Sequence, residues 1–379
     1  VLREPSRRRG ARVLTAAILA AALAIAGCGG SGSTSGGGDD GGSGSGADQR
    51  LTFSYMAGEQ TPIGQLWTWW MDEIERRSGG SVTFDRFWDG TLLKSTETID
   101  GLADGRADVA QVLPSVYPGR FPLTSAGELP FMSSNAPAVA RAFTTLSEDG
   151  PLREEWTSQK LVPLAFSIGA SSAMGTKFPV RTADDLRGKR LRATDRGSKV
   201  LQSVGANLIN IELAEIYGSM ERGLVDGFYG IPFSFIGPMK FGEVSKQFTD
   251  TGIGVSTVNG LAMSQSGWDK LSDEQRRIVE EVSAEAPAKV AEFDQQFEEQ
   301  TCRALREEGV DLYVLPDADV EKLRSGGQQK VVDEWKDEAS GKGAPADQFL
   351  DEYEAELRRG AEEFPDYQTG VARCAGGGS

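Results

Sequence analysis

The chain has no histidine among its 379 residues, which removes the commonest general base and the commonest metal ligand. It has three cysteines, Cys28, Cys302 and Cys374, without the spacing of a structural zinc site. It also lacks a G-x-S-x-G nucleophile elbow and a P-loop. Acidic residues are abundant, but no pair stands out as a hydrolase dyad. Metal, triad and phosphoryl-transfer chemistry are therefore disfavoured, and no cofactor is indicated. Positive charge is short as well, with 40 Lys and Arg against 56 Asp and Glu and a net charge of −16. The five arginines among residues 1–27, set against Glu4, carry +4, so the rest of the chain carries −20. Such a surface repels nucleic acid and anionic lipid. An anionic ligand would need a local positive site.

Long hydrophobic runs are scarce too. The run from Val13 to Ala26 is too short to span a bilayer comfortably, and the arginines before it mark residues 1–27 as an export signal. The run ends Ile25-Ala26-Gly27-Cys28, which resembles a lipobox, in which Cys28 would be acylated and become the mature first residue. The alternative is an ordinary signal peptide followed by a stray cysteine. Residues 28–49, rich in glycine and serine, cannot bury apolar surface and read as a flexible tether. Anchor and tether would hold an exported protein at the outer face of the cytoplasmic membrane, and they suit a binding protein and an anchored enzyme equally well.

The chain as a whole is 39% hydrophobic and 25% charged, ordinary for a globular protein, and its 379 residues are enough for two domains. Leu51 to Ala57 reads as a strand. Ile63, Leu66, Trp67, Trp70, Met71 and Ile74 trace one face of a helix that Ser78-Gly79-Gly80 ends. Val82 to Trp88 is the next strand, Ile99 and Leu102 mark a short helix, and Ala107 to Leu113 a buried strand. Ala136 to Leu146 is a scaffold helix. Between Val180 and Gly230 the rhythm quickens. Thr182 and Asp185 form a capping box before Leu186, a short strand runs from Lys189 to Ala193, and a helix fits Gly197 to Val204. A strand follows at Leu208 to Ile211, then a helix from Leu213 to Met220 and a strand from Val225 to Phe228. Strands alternating with helices imply crossover connections, a parallel sheet and a ligand crevice at the carboxyl ends of the strands.

Arg192 falls at the end of one of these strands. A strand covered on both faces should be apolar, so the arginine is either solvated at the terminus or aimed into the crevice to hold a carboxylate by two parallel hydrogen bonds. Further on, Ser272 and Gln275 form a capping box for a long helix with an apolar stripe through Ile278, Val282, Val290, Phe293, Phe297 and Leu305, which Pro287 should kink. Asp311 to Leu315 is a strand, and acidic helices close the chain. In an exported protein Cys302 and Cys374 either pair as a disulfide or stay as free thiols.

The stretch Asp185-Leu186-Arg187-Gly188-Lys189-Arg190-Leu191-Arg192, then Gly205-Ala206-Asn207, Ala214-Glu215-Ile216-Tyr217 and Arg222-Gly223-Leu224-Val225-Asp226-Gly227 resembles, in order and spacing, the solute-binding proteins of tripartite ATP-independent periplasmic (TRAP) transporters, in their dicarboxylate- and sialate-binding branch. The likeness extends from about Leu51 into the long helix after Ser272. It implies a two-lobed α/β fold of the periplasmic-binding-protein kind, with a ligand cleft between the lobes and a long helix spanning both. Lobe I would comprise 50–168 and 256–296, lobe II 169–255 and 297–379. It implies capture of a small organic acid by lobe closure and delivery to small and large membrane subunits. Arg192 becomes the carboxylate-clamping arginine. By the same likeness Gln111 and Asn259 would line the cleft; Glu59 and Trp88, in loops beside first-lobe strands, are further candidates, Trp88 reading equally as core or as a ligand-stacking ring, with Asp195 and Tyr229 from lobe II. Three departures stand out: Gly169-Ala170-Ser171-Ser172 has no arginine where many members have a second one, Phe228-Tyr229-Gly230 replaces Q-E-N, and Asp195 replaces an asparagine. A smaller monocarboxylate, aromatic or bearing a hydroxyl or amino group near Asp195, then fits better than sialic acid. Asp195 could instead pair with Arg192, Arg196 or Lys199. A ligand sensor on the same fold remains the alternative function, and a carboxylate-based hydrolase a distant third.

Overall fold

The computed structural model describes residues 47–117, 119–169 and 171–376. The export signal, Cys28 and nearly all of the tether lie outside them.

The chain opens with β1 (Gln49–Ser54), α1 (Pro62–Arg77), β2 (Val82–Phe87), α2 (Thr98–Ala103) and β3 (Val109–Val112), and β1 pairs in parallel with both β2 and β3. The start of α1 is fixed by Thr61, whose hydroxyl accepts from the Gly64 amide at 3.0 Å, with Pro62 in the first turn. Ile63, Leu66, Trp67, Trp70, Met71 and Ile74 are all buried on its inner face, so the helical periodicity correctly marks the core side. After α3 (Ala136–Leu146) and α4 (Gly150–Thr157), β4 (Leu161–Ile168) leads toward the second sheet.

That sheet contains β5 (Ser172–Thr176), β6 (Arg190–Arg192), β7 (Asn207–Ile209), then, after α5 (Ile216–Glu221), β8 (Gly227–Pro232), and, after α6 (Phe233–Ile236), β9 (Gln247–Asp250). From there β10 (Val258–Ser264) returns to the first sheet between β3 and β4, antiparallel to both. The chain continues through α7 (Gln265–Lys270), the 35-residue α8 (Asp273–Glu307), β11 (Asp311–Val314), α9 (Asp317–Ser340), α10 (Ala346–Glu363) and α11 (Gly370–Ala375). The sheet orders are β2-β1-β3-β10-β4 and β11-β9-β5-β8-β6-β7. Two sheets clothed in helices and joined by repeated crossings give the two-lobed α/β architecture.

Three sequence expectations are refined. The parallel order expected of the strands between Val180 and Gly230 holds, β6 running parallel to β7 and β8, but each sheet as a whole is mixed, β5 being antiparallel to β8 and β9 and β10 to β3 and β4. The strands that cross between sheets have no crossover helix to force a parallel return. Second, α10 belongs with α3 of the first lobe and not with lobe II. Phe349, Tyr353 and Leu357 give it a buried face, Tyr353 lies 5.0 Å from Phe143 between ring centroids, and a β-carbon at Gly360 would stand 2.8 Å from the Ala138 backbone. Third, the inner face of α8 carries Asp294 and Glu298 where Phe293 and Phe297 were expected. Both acids are buried and both phenylalanines only partly so. The reason is local: Ser234 faces Asp294 and Arg373 pairs with Glu298. Cys302 and Cys374 are disulfide-bonded with their Cα atoms 5.7 Å apart, tying α11 to α8.

Candidate ligand-binding site

The carboxyl ends of β6, β7 and β8 define the crevice on the second sheet. β6 lies between the other two, with Arg192 opposite Ile209 on one side and Phe228 on the other. Arg192 is 7% exposed, and its Nε donates to the Ile211 carbonyl at 2.8 Å. That bond anchors the guanidinium against the loop after β7 and leaves its outer face free. Among the described residues it forms no ion pair. Burial lowers its pKa, while Asp195 and Glu212 act in the opposite direction, and an arginine stays charged regardless.

Asp195 follows three residues later. Its Oδ1 accepts from the Ser198 amide at 2.8 Å, and the Ser198 hydroxyl donates to the Asp195 carbonyl at 2.6 Å, so a short local turn holds the carboxylate in place. Oδ2 is buried without a hydrogen-bond partner. Burial pushes this carboxyl up to about 6, against the Ser198 bonds and the charge of Arg192. The expected alternative pairings with Arg196 and Lys199 are not made: Arg196 pairs with Glu338 and Lys199 with Glu334, each at 2.6 Å. Tyr229 on β8 is fully buried, its hydroxyl beside Ser172 and Thr251 and without a hydrogen bond of normal geometry.

The remaining candidates belong to the first sheet and the loops beside it. Trp88, directly after β2, meets Phe53 edge-on at 5.2 Å and Tyr55 at 6.1 Å, which fixes the indole but leaves it half-buried. Asn259 stands opposite Ser167, and Gln111 opposite Leu261, so all four share one face of the first sheet. Gln111 is committed within the core: its Oε1 accepts from Trp67 Nε1 at 2.8 Å and its Nε2 donates to Ser167 at 3.3 Å. Glu59 turns the other way, toward Thr68, and lines an outer groove with Trp69, Asp72 and Phe293. Asp195 thus follows Arg192 at the end of β6 and lies against Gly230 of β8, next in sequence to Tyr229; Gln111 and Glu59 have partners of their own.

One further residue belongs to this region. Glu128 lies in a 3-10 turn, Thr124–Glu128, of the first lobe and lines a 230 Å³ cavity with Thr194 and Arg196 of the second. The Arg196 amide faces its Oε2 at 3.5 Å. Burial and then the charge of Asp195 push Glu128 up to about 7. A β-carbon at Gly197 would stand 3.1 Å from the Glu128 main-chain carbonyl and 3.3 Å from Asp195 Oδ1, so the Glu128 backbone packs closely on Gly197. A single acid in a non-periodic stretch of small residues gave no sequence signal. Among the described residues, no group of three or more acidic or cysteine side chains is placed to hold a metal ion.

Comparison with known proteins adds a family. The model of the DctP family, described as bacterial extracellular solute-binding protein family 7, matches residues 53–338. The C4-dicarboxylate-binding protein DctB of Bacillus subtilis is 26% identical over 275 residues, covering 70% of this chain and 76% of that protein. A TRAP periplasmic solute-binding protein of Desulfovibrio salexigens superposes with a TM-score of 0.75 at 24% identity, over 85% of this chain and 98% of that one. A TRAP solute-binding protein of Rhodoferax ferrireducens, solved with copurified benzoate, superposes with a TM-score of 0.74 at 23% identity, over 83% and 99% respectively.

Proposed function

Since the chain belongs to the DctP family of TRAP solute-binding proteins, we propose that it captures a small organic monocarboxylate on Arg192 and delivers it to the small and large membrane subunits of a TRAP transporter. The observation that carries this reading is Arg192 itself, buried at the carboxyl end of β6, with Nε engaged and no ion pair among the described residues. A guanidinium held at one nitrogen and otherwise free presents two parallel donors to a carboxylate. Relatives support the ligand class: one is named for C4-dicarboxylates and one neighbour in fold carries benzoate. Among the described residues Arg192 is the arginine at the carboxyl end of β6, with Asp195 three residues on and its charge acting on the guanidinium, which favours a single carboxylate with a hydroxyl or amino group directed at Asp195.

In this reading the lobes close over the ligand. Closure is driven only by a ligand that gains contacts in the closed form, which a molecule touching Arg192 on one lobe and Trp88 or Asn259 on the other does. Export, acylation at Cys28 and the tether would keep the loaded protein near its membrane partners.

A thermal-shift screen of small organic acids against wild type and Arg192→Ala tests the clamp. A ligand at a hundred times its dissociation constant stabilises by about 2.7 kcal/mol. The expected result is a shift with one carboxylate class in wild type that disappears in the variant. Equal shifts in both proteins, or shifts with neutral compounds alone, would make Arg192 structural.

A further inference from the structure

We propose a second binding site, separate from the Arg192 crevice, in which Asp294 of α8 receives the ammonium group of a small organic amine. A cavity of 330 Å³ is bounded by α8, by Arg373 of α11 and by the stretch from Glu363 to Gln368 that joins α10 to α11. It shares none of the residues described for the crevice. Its charged lining is Glu292, Asp294, Glu298, Glu363, Asp366 and Arg373. Three of these acids have cations of their own: Lys289 holds Glu292 at 2.7 Å, Arg141 holds Glu363 at 2.6 Å, and Arg373 pairs with Glu298. Asp294 and Asp366 form no ion pair among the described residues. With every cation counted, two acids of the cavity are left without a counter-ion.

Asp294 is the member that marks a ligand. It is 5% exposed, and its Oδ1 is buried without a hydrogen-bond partner. Glu298 is the contrast: Arg373 takes its Oε2, and its Oε1 packs against Gly370, where a β-carbon would stand 2.5 Å away. A buried carboxylate that lacks a partner bears the desolvation cost of its charge uncompensated. The charge of Arg373 reaches Asp294 too, but the guanidinium is committed to Glu298, and burial still pushes Asp294 up to about 7. A metal ion is a poor occupant, because no group of three or more acidic side chains is placed for one among the described residues. An ammonium needs fewer charged partners and brings three donors. The volume lies in the range of small-molecule pockets, and Pro137, Ala291 and Phe364 give part of the wall an apolar surface, which suits the hydrocarbon body of an amine. Binding of the cation favours ionised Asp294, so affinity rises with pH. Glu298, Arg373 and Tyr367 are the other titratable groups that face it; ionisation of Glu298 acts in the same direction.

The test is calorimetric titration of the full chain with n-butylammonium, benzylammonium and 1,4-diaminobutane as their chlorides, with 1-butanol and benzyl alcohol as uncharged counterparts. The expected result is saturable binding of at least one amine, weaker by about tenfold or more in Asp294→Asn and unchanged in Arg192→Ala. In wild type the same amine should bind about tenfold more tightly at pH 8 than at pH 6, a readout that does not depend on how the variant folds. If no amine binds, or if the alcohols bind as tightly as the amines, the site does not read an ammonium group and the proposal fails. It fails equally if affinity is the same in Asp294→Asn or the same at the two pH values. Loss of amine binding in Arg192→Ala would move the amine to the crevice and overturn the second site, whereas loss of acid binding alone in that variant bears only on the clamp.

Discussion

Asp195 Oδ2 occupies the space that a side chain at Gly230 would need: a β-carbon there would stand 2.6 Å from it. Gly230 also sits at φ 88°, in the left-handed region that side chains avoid. The glycine and the aspartate are thus one solution to the shape of the crevice, and neither changes freely without the other.

Gly230→Ala is expected to destabilise the protein by about 2 kcal/mol, from backbone strain and the displaced carboxylate together. It should weaken ligand binding as well, since Asp195 has to move. Urea unfolding and titration of a ligand identified in the screen measure the two effects. A variant with unchanged stability and affinity would show that the crevice yields at no cost.

Gln111→Ala should behave differently. Removing the amide leaves the Trp67 indole N–H and the Ser167 hydroxyl without their buried partner, at about 1–3 kcal/mol. The expected outcome is a lower midpoint of urea unfolding with ligand affinity close to wild type. A selective loss of affinity with stability intact would return Gln111 to the ligand.

The contrast between these residues shows what was legible in the sequence. Helices with a cap and a periodic face were readable to the residue: Ala136–Leu146 and the 3-10 helix Gly197–Val204 begin and end where their signals place them. Strand ends in the second lobe moved by one to four residues, because Val225 is buried before pairing starts at Gly227 while pairing with β5 carries β8 on to Pro232. Arg192 stood out because a charge at the end of a covered strand demands an explanation. Gln111 and Glu59 looked equally exposed to the cleft, but their side chains are claimed by Trp67, Ser167 and Thr68, and such contacts leave no local pattern. Glu128 meets the Arg196 amide only because the fold brings together segments 68 residues apart.

The Cys302–Cys374 bond closes a separation of 72 residues. By loop entropy it should stabilise the fold by about 4 kcal/mol. Paired Cys302→Ser and Cys374→Ser substitutions are expected to lower the melting temperature by several degrees without abolishing ligand binding, because α11 packs far from Arg192 in the chain's topology, on β11, β9, α8 and α6. An unchanged melting temperature would mean that the ion pair of Arg373 with Glu298 holds α11 in place unaided.

The buried acids of α8 make the pH dependence of stability predictable in sign. Burial pushes Asp294 up to about 7 and Glu298 up to about 8, although Arg373 pulls both down and the Gly370 amide favours the ionised Glu298. Ser234 and Tyr367 face the same pocket. Glu155, surrounded by Leu123 and Thr124, is likewise raised to about 7. Each group has a folded-state value above its unfolded one, so the folded protein binds more protons between those values, and stability falls as pH rises through the interval. Carboxylates shifted the other way, such as Glu73 beside Arg76 and Arg77, lie at the surface and contribute little. The ligand-free protein should therefore melt highest near pH 5 and lose stability steadily toward pH 8. Asp294→Asn removes one of these protonation sites with little change of shape. It should stabilise the protein at pH 8 by on the order of 2 kcal/mol and have no stabilising effect at pH 4. Melting curves of the two proteins across that range decide it: parallel profiles would mean that Asp294 ionises within the fold at no cost, through water reaching it from the groove beside Tyr367 and Arg373.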